Sequence, residues 1–92
     1  MRKISMKKAI EVIFGPVTML KKYRLYSCIG KEWAMFFRDA KGQTWYLDYR
    51  TLPICSNKHV MYRTAESESD YTGGHNTWDF EEKLARKGMY VF

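Results

Sequence analysis

The sequence has few residues that could cross-link or rigidify the chain, and no long apolar segment. It contains only two cysteines, Cys28 and Cys55, and two prolines in 92 residues. Its apolar runs are all far shorter than the roughly 20 residues that a membrane-spanning helix needs. The basic N-terminus leads into an apolar stretch broken by Glu11, with no small-residue cleavage site, so we expect no secretory signal. These absences predict a cytoplasmic protein with reduced cysteines that does not enter a membrane.

Catalytic and metal-binding patterns are also lacking. Cys28, Cys55, His59 and His75 do not have the paired spacing of a compact zinc module, and no recognisable nucleophile turn or phosphate loop is present. At this length the chain builds one modest core, not a core plus a deep enclosed cavity. We therefore expect a protein without catalytic activity, metal or cofactor.

Hydrophobic residues make up 46% of the chain and aromatic residues 16%, which excludes disorder of the whole chain. The net charge of +6 is unevenly distributed. Residues 1–31 hold eight basic residues against one acidic residue, whereas residues 66–92 hold six acidic residues against three basic ones. The N-terminal third predicts a basic patch that attracts phosphates or an acidic protein surface, with a solvated face that maintains solubility as the alternative. The members of this patch are Lys7, Lys8, Lys21 and Lys22.

A helix is predicted for residues 6–14. Ser5 is a suitable N-cap, and Met6, Ala9, Ile10 and Ile13 have the spacing of one helical face. A strand over residues 9–14 is the competing interpretation, because Ile, Val and Phe favour strands.

The clearest pattern is a hairpin with a three-residue loop between Asp39 and Gln43, in which Gly42 takes a positive φ. Its register places three pairs on the core side: Phe37 with Trp45, Met35 with Leu47, and Trp33 with Tyr49. The outer side then carries Arg38 opposite Thr44, Phe36 opposite Tyr46, Ala34 opposite Asp48, and Glu32 opposite Arg50.

A further strand is predicted over residues 23–29. A three-residue loop at 30–32 places Tyr23, Leu25 and Ile29 on the core side and Arg24 opposite Arg38. A two-residue turn at 30–31 places Tyr26 and Cys28 on the core side instead. We favour the first because it buries more aliphatic surface. Its like-charge arginine pair is unfavourable unless an anion lies between the two side chains.

The rest of the chain predicts a fourth strand over residues 59–63, with Val60 and Tyr62 on one side. An acidic, flexible loop rich in Ser and Gly follows over residues 65–75. A helix capped at Asn76 or Thr77 then runs through Ala85, and a short strand covers residues 89–92. The exposed edge of that last strand allows a homodimer. The chain is thus a single α+β domain over residues 1–92: a three-stranded antiparallel meander at about 23–50, one or two further strands, and a helix near each terminus.

On the outer side of the meander, rings alternate with guanidinium groups, a combination that recognises both nucleic acids and proteins. Such a face is either exposed and partner-binding or covered by a helix. Its members are Arg24, Tyr26, Phe36, Arg38, Tyr46 and Arg50.

Two functions follow from these patterns. The first is a small binding protein that occupies a surface of a larger, nucleic-acid-handling protein machine, as an inhibitor or accessory subunit; small proteins of phages and mobile elements are often of this type. The second is a nucleic-acid-binding module that uses the basic, aromatic sheet face. The acidic C-terminal third favours the first.

Overall fold

A computed structural model describes residues 1–27, 30–52, 57–70 and 74–91. The elements are β1 (Arg2–Lys3), α1 (Met6–Phe14), β2 (Val17–Ser27), β3 (Gly30–Asp39), β4 (Thr44–Leu52), β5 (Asn57–Ala65), α2 (Phe80–Ala85) and β6 (Met89–Tyr90). Strands β2 to β5 form an antiparallel sheet in chain order, and β1 pairs with β6 in parallel. The predicted α+β class, with an antiparallel sheet and a helix near each terminus, is confirmed. Neither helix in the described part of the chain is long and apolar enough to cross a bilayer.

Helix α1 has the predicted bounds. The Ser5 side chain accepts a hydrogen bond from the backbone N–H of Lys8 at 3.1 Å, which satisfies one of the free donors of the first turn. At the other end, Gly15 adopts a φ of 79° and its N–H donates to the Glu11 carbonyl. Ala9 and Ile10 are buried against the sheet. The competing strand over residues 9–14 is therefore wrong.

The β3–β4 hairpin has the predicted register at every pair. Phe37 lies opposite Trp45, Met35 opposite Leu47, and Trp33 opposite Tyr49, while Glu32 lies opposite Arg50. Gly42 has a φ of 87°, which only glycine adopts without strain. Turn chemistry and side-chain alternation agree here, and together they determine the pairing.

Strand β2 departs from the prediction at both ends. It begins at Val17 instead of Tyr23, and Ser27 pairs with Gly30. Gly30 and Lys31 therefore belong to β3, and both predicted turns at Gly30 are wrong; residues 28–29 lie outside the described residues. The longer strand is favoured because each added ladder pair satisfies further backbone N–H and C=O groups.

A β-bulge in β2 exchanges the faces of residues 17–19 relative to residues 21–27. The register shifts between Met19 and Lys21, so that Leu20 is the extra residue. Arg38 lies beyond the bulge, opposite Thr18, whereas Arg24 lies opposite Trp33 because Ser27 pairs with Gly30. The predicted pairing of Arg24 with Arg38 is wrong.

Tyr23 is also misplaced by the prediction. It lies opposite Ala34 and packs on the face of the sheet away from the helices, not on the predicted core side. The Leu25 side chain lies outside the described residues.

Two apolar clusters lie on opposite faces of the sheet. The first cluster, between the sheet and both helices, comprises Ala9, Ile10, Met35, Phe37, Leu47, Val60, Tyr62, Phe80 and Leu84. The second cluster comprises Ala34, Phe36, Tyr46 and Ala65, with Leu20, Tyr23 and Met61 packed against it. The prediction that Val60 and Tyr62 share one side of a fourth strand is confirmed.

The C-terminal helix begins later than predicted. Thr77 exchanges two backbone hydrogen bonds with Tyr62, at 2.8 and 3.1 Å, so its backbone bridges to β5 and does not start a helix. Helix α2 therefore starts at Phe80, and the predicted caps at Asn76 and Thr77 are wrong. The predicted final strand is confirmed for Met89 and Tyr90 but is wrong for Val91, which follows the strand; Phe92 lies outside the described residues.

The start of the acidic segment is hydrogen-bonded. Ala65 is the last residue of β5, and the backbone N–H of Glu66 donates to the Asp70 carboxylate at 3.0 Å. The Asp70 N–H in turn donates to the Ser67 carbonyl. Residues 71–73 lie outside the described residues, and the flexibility of the loop stays a prediction.

Candidate interaction surface

The predicted outer patch does not assemble as one exposed surface. Phe36 and Tyr46 are only 0% and 7% exposed, and their ring centroids lie 4.9 Å apart inside the second cluster. Burial raises the pKa of Tyr46, and its hydroxyl donates to the Asp48 carboxylate at 3.1 Å. These two rings are therefore packing residues, and neither offers a free face to a base.

Arg63 is the buried guanidinium that covers Tyr46. It is only 4% exposed, and its Cζ lies 4.5 Å from the centroid of the Tyr46 ring. Its Nη2 donates to the Asp70 carbonyl at 2.8 Å, which ties the acidic segment to the sheet. Arg63 is absent from the predicted patch. The alternation that places Val60 and Tyr62 on one side of β5 places Arg63 on the other, where it lies opposite Tyr46.

The arginines of the predicted patch lie on different faces. Arg24 lies on the helix-bearing face, with its Cζ 5.3 Å from the Trp33 ring centroid. Arg38 is exposed on the opposite face, between Thr18 and Thr44. Tyr26 and Arg50 are placed in β2 and β4 by their backbones, but their side chains lie outside the described residues.

Two of the four predicted basic residues meet at one groove. A groove of about 290 Å³ lies between α1 and β2, and exposed Lys7 and Lys22 come to it from the helix and the strand. We call it the α1–β2 groove. Its lining residues are Met6, Lys7, Ile10, Glu11, Val17, Met19, Lys22 and Met35.

The α1–β2 groove is mostly apolar with charged side chains among its lining residues. Met19 is 44% exposed, and the floor includes two further methionines, whose flexible thioether chains adapt to varied partners. The Lys22 Nζ lies 4.8 Å from the Trp33 ring centroid, so the lysine and Arg24 form one cationic strip along β2. The sequence could not reveal this groove, because it forms only where α1 and β2 pack together.

The other two predicted basic residues lie elsewhere. Lys8 lines a separate depression beside Gly15 and Pro16. Lys21 lies on the opposite face of β2, with its Nζ 5.5 Å from the Tyr23 ring centroid. The predicted N-terminal patch is thus divided among three surfaces.

Strand β2 is an edge strand. The sheet order places β2 at one end and β5 at the other. The β5 edge is bridged at Tyr62 by Thr77, whereas no described residue outside β3 forms a ladder with β2. The α1–β2 groove therefore lies beside an open sheet edge.

A polar cluster joins α2 to β5. The Tyr62 hydroxyl donates to Asp79 Oδ1 at 2.6 Å, and Lys83 Nζ donates to the Tyr62 hydroxyl oxygen at 3.0 Å. Burial, followed by the hydrogen bond to Asp79, raises the pKa of Tyr62. These hydrogen bonds join β5 to α2 and to the residue before it.

In the part of the chain that the structure describes, no three His, Cys, Asp or Glu side chains are grouped to hold a metal ion. His75 is exposed, while Cys28, Cys55 and the His59 side chain lie outside the described residues. No protein-family model, curated protein or solved structure matches this chain.

Proposed function

We propose that this chain is a small, non-catalytic, cytoplasmic binding protein that occupies a surface of a larger, nucleic-acid-handling protein machine, as an inhibitor or accessory subunit. The α1–β2 groove is the observation that carries the proposal. It combines an apolar floor with Lys7 and Lys22 from different elements and one acidic residue, Glu11, so its charged side chains are predominantly basic and suit an apolar side chain flanked by carboxylates.

The burial of Phe36 and Tyr46 supports a protein partner over a nucleic acid. Single-stranded nucleic acids bind by stacking bases on exposed rings, and these two rings of the predicted platform lie inside the second cluster. Trp33 has Lys22 and Arg24 within cation–π distance of its ring. What favours the alternative, direct nucleic-acid binding, is the net charge of +6 and the basic strip on β2.

A paired charge reversal tests the proposal. Lys7→Glu with Lys22→Glu changes the α1–β2 groove, and Lys8→Glu with Lys87→Glu is the matched control: all four side chains are exposed, but Lys8 and Lys87 do not line that groove. Each full-length variant is checked for folding by circular dichroism. It is then used to capture partners from nuclease-treated lysate of cells that encode the protein.

We expect a nuclease-resistant protein partner with the unmodified chain and the control, and recovery at least about tenfold lower with the groove variant, because opposite charges at the rim become repulsive. Loss of every partner after nuclease treatment, or equal recovery by both variants, would contradict the proposal. Direct nucleic-acid binding would instead show as affinity for a labelled oligonucleotide that falls steeply with salt and falls equally in both variants.

A further inference from the structure

The α1–β2 groove alone supplies little binding energy. One Leu or Met side chain that fills it contributes about 1.5–3 kcal/mol, well below what a stable complex requires. A specific interface needs contacts beyond the groove. The surface that adjoins it is the outer edge of β2, so the edge is the natural place for those contacts.

The β2 edge can accept a partner strand over a continuous stretch. After the bulge at Leu20, residues 21–27 pair with β3 in uninterrupted register, so their backbone is regular and extended. An edge strand pairs with an added strand through its outward N–H and C=O groups. Bulges and lysines also protect edges from self-association, and both are present here.

The charge of β2 selects the incoming strand. Lys22 and Arg24 lie on the helix-bearing face and Lys21 on the other, so both faces of the edge are basic. A second copy paired antiparallel through this edge would bring the two basic stretches together, which is unfavourable. An acidic strand is complementary on both faces.

Resting on the function proposed above, we propose that the partner is a protein whose acidic, extended segment adds as a fifth strand to the outer edge of β2. Its carboxylates lie beside Lys21, Lys22 and Arg24, and one large apolar side chain enters the groove beside Met19. The backbone of the segment supplies affinity, and the basic edge and the groove supply specificity.

Selection from a random ten-residue peptide library on the full chain tests this inference. We expect the selected peptides to be acidic, to contain one large apolar residue, and to avoid proline, which cannot donate to a ladder. Binding should fall at least about tenfold when alternate peptide amides are N-methylated on the edge that pairs, because the donors are lost. Hydrogen exchange should show new protection of alternate β2 amides.

Lys21→Glu separates strand addition from simple filling of the groove. Lys21 lies on the face of β2 away from the groove, and only an added strand, whose side chains alternate between faces, places carboxylates beside both Lys21 and Lys22. We expect Lys21→Glu and Lys22→Glu each to weaken peptide binding, and Lys87→Glu to leave it unchanged.

The outcomes distinguish this inference from the proposed function. If N-methylation and Lys21→Glu have no effect while Lys7→Glu with Lys22→Glu abolishes binding, strand addition is overturned and the groove remains the binding site. If the Lys7→Glu, Lys22→Glu variant binds the selected peptides unchanged, both are overturned. A dimer of the unmodified chain that is broken by a proline in β2 would assign the edge to a second copy instead.

Discussion

Asp39 and Trp45 are joined across the β3–β4 turn: the indole N–H of Trp45 donates to Asp39 Oδ2 at 2.9 Å. The other carboxylate oxygen accepts the backbone N–H groups of Lys41 and Gln43, each at 2.9 Å. One side chain thus fixes the loop and the first core-side pair after it. Three donors to a carboxylate favour its charged form, and the Trp45 hydrogen bond is the largest cause of the lowered pKa of Asp39.

This arrangement predicts a loss of stability in acid. The folded pKa of Asp39 lies below its ordinary value of 3.8, so its contribution is present above about pH 4 and is lost as the pH falls through the folded pKa. Urea unfolding from neutral to acidic pH should show Asp39→Asn less stable than the unmodified chain, with the difference shrinking in acid. The exposed Glu68→Gln is the control. A constant difference at every pH would contradict the role of the charge.

Two glycines of similar backbone conformation should respond differently to alanine. Gly42 and Gly74 have φ of 87° and 73°, so a Cβ costs either position about 1–2 kcal/mol. At Gly42 the added Cβ meets open space, whereas at Gly74 it would lie 2.7 Å from the Thr64 carbonyl oxygen. We expect Gly74→Ala to lower the free energy of unfolding more than Gly42→Ala, as measured by urea denaturation. Equal losses would mean that the 74 region shifts to accept the methyl group.

Arg63 should control the order of the acidic segment. Replacing it with Met keeps an unbranched side chain but removes the donor to the Asp70 carbonyl and the cation over Tyr46. We expect Arg63→Met to lose about 1–3 kcal/mol of stability and to increase hydrogen exchange at Glu66 and Asp70. Arg63→Lys keeps the charge but lacks the planar guanidinium group, so its stability should lie between that of the unmodified chain and that of Arg63→Met. Unchanged exchange at those amides would show that Arg63 does not hold the segment.

The sequence predicted the hairpin and failed one strand earlier, for a physical reason. Asp39 and Gly42 define a local turn, and the pairs that follow need only a period of two. The register of β2 depends on which residues join it to β3. Gly30 locally favours a turn, but it pairs with Ser27, and this differs from the predicted register by an odd number of residues, which exchanges the two faces. Arg24 and Tyr23 are both misplaced for this reason, and the bulge at Leu20 then exchanges the faces of residues 17–19.

The candidate site was only partly predictable. Lys7 and Lys22 were identified as basic residues, but their meeting at the α1–β2 groove depends on how the helix packs on the strand. Burial of Phe36 and Tyr46 is one of the two predicted alternatives, but the predicted cover is a helix. Both helices pack on the other face. The second cluster is covered instead by Arg63, which lies over the Tyr46 ring, and by three apolar side chains: Leu20, Tyr23 and Met61.

Tyr62 should make the fold sensitive to alkali. Its pKa is raised by burial and by the hydrogen bond to Asp79, and the pKa of Lys83 is raised by the hydrogen bond to Tyr62. A raised folded pKa gives stability that is present below the ordinary value of 10.0 and is lost as the pH rises through the folded value.

Tyr62→Phe tests that role, since it keeps the ring and removes the hydroxyl between Asp79 and Lys83. We expect a loss of about 1–3 kcal/mol at neutral pH, because Asp79 and Lys83 lose a shared partner, and a smaller further loss in alkali than in the unmodified chain. Tyr90→Phe is the control: Tyr90 is 37% exposed and lies outside the cluster. The measurement is urea denaturation at neutral and alkaline pH, alongside tyrosinate absorbance. If Tyr62→Phe and Tyr90→Phe behave alike, the cluster does not hold α2 on the sheet.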